Sequence, residues 1–426
     1  MLAAGLSTAR NAQRIAARSF ATVVESAGLR VATAEASQPT SSVTVLVKAG
    51  SRFETKPGVA NALKNFAFKS TAKRSALGTV RESELYGGVL SASLTREHLA
   101  LTAEFLRGDE QFFVDVLSSF VNSAKFTRHE FEEYVTPLIE ADTAAVNSDP
   151  ATHAIEIAHA LAFRSGLGAS LFAPSHSSLT AEDIKAFAKT AFTKGNIAVL
   201  GSGIDKSLLS KLVENSFTAT PSSTSATSPA SIYFGGETRI NAHNGPQTVF
   251  IGYGATGTPS SELATLAAHI SPAPSIKWSK GISPLSSAIP AHTSVQSVYF
   301  PYSDATLVGV LVQGASAAEV KTAATAAVAE LKKAATGLSA EDLKKAVAKA
   351  RFAAANAAER RDGFAATLGS QILSSAPTTL DATLASFDKI SATGFSKAVS
   401  GLVKSKPTYV VVGDATALPY ADEIGL

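Results

Sequence analysis

The sequence predicts an α/β (α+β) chain of two structurally similar domains, each a mixed β-sheet flanked by helices. Three pairs of segments carry that prediction. The apolar run 43–47, Gly50 and a helical stretch over 58–71 are echoed by 249–251, Gly254 and a helix over 261–270. The strand-like 99–104 with the helix 111–124 is echoed by 307–312 with the helix 317–335. Residues 197–201 (IAVLG) are echoed by 409–413 (YVVVG). The offset is about 204 to 213 residues throughout, so what repeats is the order and period of the elements, with little residue identity. Between the halves, 218–230 is rich in Ser, Thr and Pro and lacks charge and large apolar groups, which reads as an exposed linker. The expected domains are therefore 21–217 and 231–426.

The chain begins differently. Residues 1–20 hold Arg10, Arg14 and Arg18, and no acidic residue occurs before Glu25. Four-residue spacing puts the three arginines on one helical face, the pattern of a mitochondrial import presequence. Arg18-Ser19-Phe20 places an arginine three positions before a cut at Ala21. Removing these residues takes the formal charge from +3 to zero, so a mature chain has no electrostatic reason to bind nucleic acid.

Composition narrows the chemistry further. No run of 18 or more apolar residues occurs, so no segment reads as a membrane span. The absence of cysteine excludes disulfides, thiolate metal sites and a cysteine nucleophile. The eight histidines are scattered, and no two stand four apart; the nearest pair, His153 and His159, cannot form a one-turn zinc pair.

The most informative stretch is 58–71, GVANALKNFAFKST. It follows the apolar run 43–47 and a turn at 49–54. Pro57 restricts the chain just before it, and Val59, Leu63 and Phe66 fall at helical spacing. Elsewhere, 338–366 reads as a long helix rich in Ala, Lys, Glu and Arg. Glu130, Glu132 and Glu133 read as a solvated acidic face, and 271–290 as a proline-bearing loop. Gly166-Leu167-Gly168 and Gly235-Gly236 read as turns without the setting of a phosphate cradle.

Taken together, these blocks resemble the pitrilysin-type inverted zinc peptidases, in particular their mitochondrial branch of processing peptidases and complex III core proteins. Residues 58–71 look like that family's metal helix, which carries His-x-x-Glu-His: two imidazoles one turn apart hold zinc and the carboxylate activates water. The matching positions here are Asn61, Lys64 and Asn65. Leu138-Ile139-Glu140, about 75 to 80 residues on, looks like the helix of the third zinc ligand, with Glu140 as its match. Asp149-Pro150, 163–171, 179–203, Phe234-Gly235-Gly236-Glu237, Gly281–Leu285, Tyr302-Ser303-Asp304 and the closing 412–420 resemble further blocks, so the likeness covers nearly the whole mature chain.

The resemblance implies two clam-like domains forming a bowl with a cavity between them. The departures at Asn61, Lys64 and Asn65 imply no catalytic residue, no metal, no cofactor and no hydrolysis by the family mechanism. Two roles then stand open. One is a core subunit of ubiquinol–cytochrome c reductase, peripheral on the matrix side of the inner membrane. It would pair with core protein 1 and contact cytochrome b, cytochrome c1 and the iron–sulfur protein in a dimeric complex, touching the membrane through partners only. The other is a peptide-handling partner of a matrix processing protease. The single glycine in 271–281, where that partner's family has a glycine-rich loop, favours the first.

Overall fold

A computed structural model describes residues 22–34, 38–223, 226–243, 245–273, 283–360, 371–373 and 380–426, with 363, 367 and 369. The expected presequence at 1–20, most of the loop 271–281 and much of the chain after Arg360 therefore lie outside the described residues. Where described, the helix expected over 338–366 runs Ala340–Glu359 and ends with extended backbone at Arg360.

Two mixed sheets organise the chain. The first contains β1 (Thr22–Ser26), β2 (Leu29–Ala34), β3 (Thr40–Val47), β4 (Val89–Leu94), β5 (Leu99–Leu106) and β6 (Ile197–Ser202), in the order β1-β2-β6-β3-β5-β4. The second contains β7 (Gly236–Asn241), β8 (Gln247–Thr256), β9 (Ser294–Pro301), β10 (Ala305–Gly314) and β11 (Thr408–Gly413), in the order β7-β11-β8-β10-β9. Setting β1 aside, the two orders match strand for strand. The parallel pair β2·β6 corresponds to β7·β11, and the antiparallel ladders β6·β3·β5·β4 to β11·β8·β10·β9. The repeat of pattern is thus a repeat of topology.

The central strands are buried on both faces, which is why β10 and residues 43–47 of β3 read as nearly continuous apolar runs rather than alternating ones. One face of the first sheet packs on helices of its own half, α1 (Val59–Asn65), α3 (Glu110–Ser123), α6 (Ala181–Ala191) and α7 (Lys206–Ser216), with Phe66, Phe113 and Phe120 at the centre. The opposite faces are covered reciprocally. Helix α5 (Pro150–Phe163), from the first half, lies on the second sheet, packing Ala154, Ala158 and Ala162 against Phe250, Leu307, Leu311 and Val410. Three alanines one turn apart leave no bulk on that face, so helix and sheet approach closely. In return Ile372 and Leu373, from the second half, cover Leu46 and Leu200 of the first sheet.

Three local expectations are corrected. The helix expected over 58–71 ends at Asn65, because Phe68 adopts a left-handed φ of 62° and Thr71 bridges to Ala124. Gly254, read as the turn after a strand, lies inside β8; the Tyr233 ring occupies its Cβ position, 2.2 Å away, so only glycine lets strand and ring coexist. Glu130, expected on a solvated face, is buried and accepts from Ser70 N at 3.0 Å and Thr127 Oγ1 at 2.8 Å. The stretch 218–230, expected as an exposed linker, is exposed over most of its described residues and is tethered at points, with Thr220 Oγ1 donating to Asn122 and Ala226 N to Asn196.

Candidate functional site

Close backbone packing sets the site. A Cβ on Gly50 would lie 2.3 Å from the Arg96 carbonyl oxygen, so glycine alone lets the chain turn there after β3. Gly58 has φ 85° and lies against Ala173, and from it α1 begins. Glu54 accepts from Gly58 N at 3.1 Å, and burial pushes its carboxyl up to about 7. Helix α1 turns Val59, Ala60, Ala62 and Leu63 into the core and carries Asn61 with them, 2% exposed.

Asn61, Lys64 and Asn65 come together on one side of α1, as the spacing predicts. They meet α4 (Thr136–Ser148), but through Asp142 rather than Glu140. Lys64 Nζ lies 2.7 Å from Asp142 Oδ2; Asn65 Nδ2 donates to the same oxygen at 3.2 Å and Asn61 Nδ2 at 3.4 Å. Asn65 Nδ2 also donates to Asn61 Oδ1 at 3.1 Å, which fixes the orientation of both amides. Burial alone would raise the Asp142 carboxyl, yet these donors, Lys64 foremost, hold it below the ordinary carboxylate range. Glu140 is exposed. At about 100° per residue, positions 140 and 142 point to roughly opposite sides of α4, so only one of them can face α1. Asp142 stands 77 residues after Asn65, inside the spacing that pointed to Glu140, so this position was legible but ambiguous by half a turn.

The zinc that the family frame implies does not fit this donor set. A divalent ion there would need lone pairs from two imidazoles and a carboxylate. The chain offers two amides, whose nitrogens face the carboxylate as donors and of which Asn61 Oδ1 is already engaged by Asn65, and an ammonium in contact with the one carboxylate.

A second polar centre lies at the seam between the halves, assembled from segments far apart in sequence. Arg52, from the turn after β3, bonds Glu97 at 2.8 Å and Asp304 at 2.7 Å, and donates to Ser228 Oγ and the Pro229 carbonyl of the connecting stretch. Glu97 in turn accepts from Ser303 N at 3.0 Å. Beside it Arg96 pairs with Glu156 of α5 at 2.6 Å. His159 of α5 contacts the Ile155 carbonyl through Nδ1 and the Tyr302 hydroxyl through Nε2, each at 2.7 Å. Burial, reinforced by Arg96, pushes the His159 imidazole well below its ordinary value, so it is neutral: Nδ1–H donates and Nε2 accepts. The block Tyr302-Ser303-Asp304 is therefore an inter-domain joint.

Comparison with known proteins agrees with this frame. The sequence model of the insulinase family (peptidase family M16) matches residues 30–175, and that of the peptidase M16 inactive domain matches 178–350. The chain is 45% identical over 397 residues to the mitochondrial cytochrome b-c1 complex subunit 2 of Cryptococcus neoformans, covering 91% of this chain and 90% of the relative. It is 37% identical to the Yarrowia lipolytica protein of the same name (96% and 98% covered) and 28% identical to the human one (93% and 90%). With near-complete coverage and a fold of two M16-type sheets, the chain belongs to the family of the mitochondrial cytochrome b-c1 complex subunit 2.

Proposed function

We propose that this chain is the second core subunit (core protein 2) of ubiquinol–cytochrome c reductase, respiratory complex III, and that it serves assembly and stability rather than catalysis. In this reading the chain carries no cofactor and performs no hydrolysis. It is imported through the presequence at 1–20 and sits peripherally on the matrix side of the inner membrane. It pairs with core protein 1 and meets cytochrome b, cytochrome c1 and the iron–sulfur protein in the dimeric complex. The two domains divide at 218–230, the stretch that crosses from one sheet to the other. Among the described residues no helix is long and apolar enough to cross a membrane, consistent with attachment through partners.

The observation that carries an assembly role is helix α2 (Ala76–Leu85), which buries polar residues while leaving large apolar ones exposed. Its polar residues Thr79 and Ser83 are buried, with Thr79 Oγ1 donating to the Ser75 carbonyl at 3.1 Å and Ser83 Oγ to the Thr79 carbonyl at 2.7 Å. Leu77, Val80 and Leu85 face solvent beside exposed Arg81 and Glu84, Leu85 at 85% exposure, and Tyr86 and Val89 extend the patch to β4 at the sheet edge. An apolar surface of this kind marks a protein-interaction site. The test is blue-native separation of mitochondria carrying Leu77→Ser, Val80→Ser and Leu85→Ser together. The expected result is less haem-containing complex at unchanged turnover per haem. Intact complex with failed presequence processing supports the rival role, a peptide-handling protease partner.

A further inference from the structure

The relic metal site has inverted polarity. In a metal centre lone pairs converge on a cation; here three N–H donors converge on one oxygen, Asp142 Oδ2. We propose that the Lys64 ammonium stands as a built-in cation where a metal ion would cross-link these helices, forming with Asn61 and Asn65 a carboxylate clasp that fixes α1 to α4 through Asp142. This assignment does not depend on the role in complex III.

Three features support a clasp over a chance surface pair. Asn61 is almost wholly buried and has both amide ends engaged, donating to Asp142 and accepting from Asn65. The Lys64 and Asp142 side chains are only 22% and 33% exposed, so solvent screens them less than a surface pair. Helix α1 has 7 residues, too few to be stable by itself, so its position rests on packing and on tethers of this kind. Glu140, exposed on the other side of α4, takes no part.

A double-mutant cycle on the full chain tests the clasp. Lys64→Met and Asp142→Asn should each lower Tm by about 2–4 °C, and the double variant by no more than the larger single effect. Glu140→Gln should leave Tm unchanged. The position of the cation is tested by returning the lone pairs with Asn61→His, Lys64→Glu and Asn65→His in one chain, titrated with zinc chloride. About one zinc per chain should bind, as the tetrahedral preference of zinc for such a ligand set requires. Adding Asp142→Asn should abolish binding and adding Glu140→Gln should not. Additive or absent effects in the cycle overturn the clasp. A folded triple variant that takes no zinc, or one whose zinc survives Asp142→Asn, overturns the placement of the ammonium. If the triple variant does not fold, the cycle alone decides.

Discussion

Arg52 grips Asp304 with both terminal guanidinium nitrogens, each at 2.7 Å, across 252 positions of sequence. The fork-to-fork geometry joins the turn after β3 in the first half to the β9–β10 turn in the second, and Glu97 closes the other side. Arg52→Met would leave Glu97 and Asp304 facing each other at the seam without their cation. Breaking such a pair from one side costs about 3–5 kcal/mol when it is buried, and Arg52 is 5% exposed by its side chain. The expected outcome is a lower Tm together with faster proteolytic cleavage in 221–230, which Arg52 tethers. Arg52→Lys should recover only part of the loss, because an ammonium cannot make the bidentate contact.

Glu54 predicts a pH dependence of the opposite sign to an ordinary salt-bridged carboxylate. Burial raises it from 4.5 to about 7. A carboxyl with a raised folded-state value binds its proton more tightly in the folded chain. Its contribution is fully present below pH 4.5 and is lost as pH rises through about 7. The loss is bounded at about 3 kcal/mol by 1.36 kcal/mol per unit. Glu54→Gln keeps an acceptor for Gly58 N and removes the ionisation. It should raise Tm at pH 8 and leave it nearly unchanged at pH 4, as read by thermal denaturation at the two values.

The closing segment is part of the second domain's core. Leu418 and Ile424 are buried, and Tyr409 OH donates to the Pro419 carbonyl at 2.7 Å. Arg239 donates to the carbonyls of Ala415, Leu418 and Pro419 and stacks on Tyr420, 3.9 Å from the ring centroid. Truncation after Gly413 should therefore unfold the second half rather than only weaken assembly. Leu418→Ala should cost about 2–5 kcal/mol, checked by denaturant unfolding of the full chain.

Gly254 gives a steric test of the β8 register. A side chain there would enter the Tyr233 ring, whose hydroxyl donates to the Lys406 carbonyl at 2.6 Å. Gly254→Val should cost about 1–3 kcal/mol, and Tyr233→Ala in the same chain should restore part of it by opening the space. Urea unfolding of the single and double variants measures both.

The parts legible in the sequence are those whose pattern is local. The central strands β3, β8, β10 and β11 are buried on both faces and read as apolar runs, and the helix over Ser261–Ile270 shows its period plainly. The edge strand β4 (VLSASL) buries none of its residues fully and exposes every other one, so neither its serines nor its leucines announced it. Helix α2 hid because its apolar residues face outward. Asp142 was obscured by Glu140 two positions earlier, a choice that only the rotation of α4 decides. The Arg52 joint is assembled from three distant segments, and no window of sequence contains it.

The central claim, that this chain is an assembly subunit, is tested most directly by its deletion. The measurement is the spectroscopic haem content of the inner membrane, read beside ubiquinol–cytochrome c turnover per haem and presequence processing in the matrix. The account predicts that haem-containing complex is lost while any remaining complex turns over normally and processing continues. Unchanged haem and turnover with failed processing would contradict it.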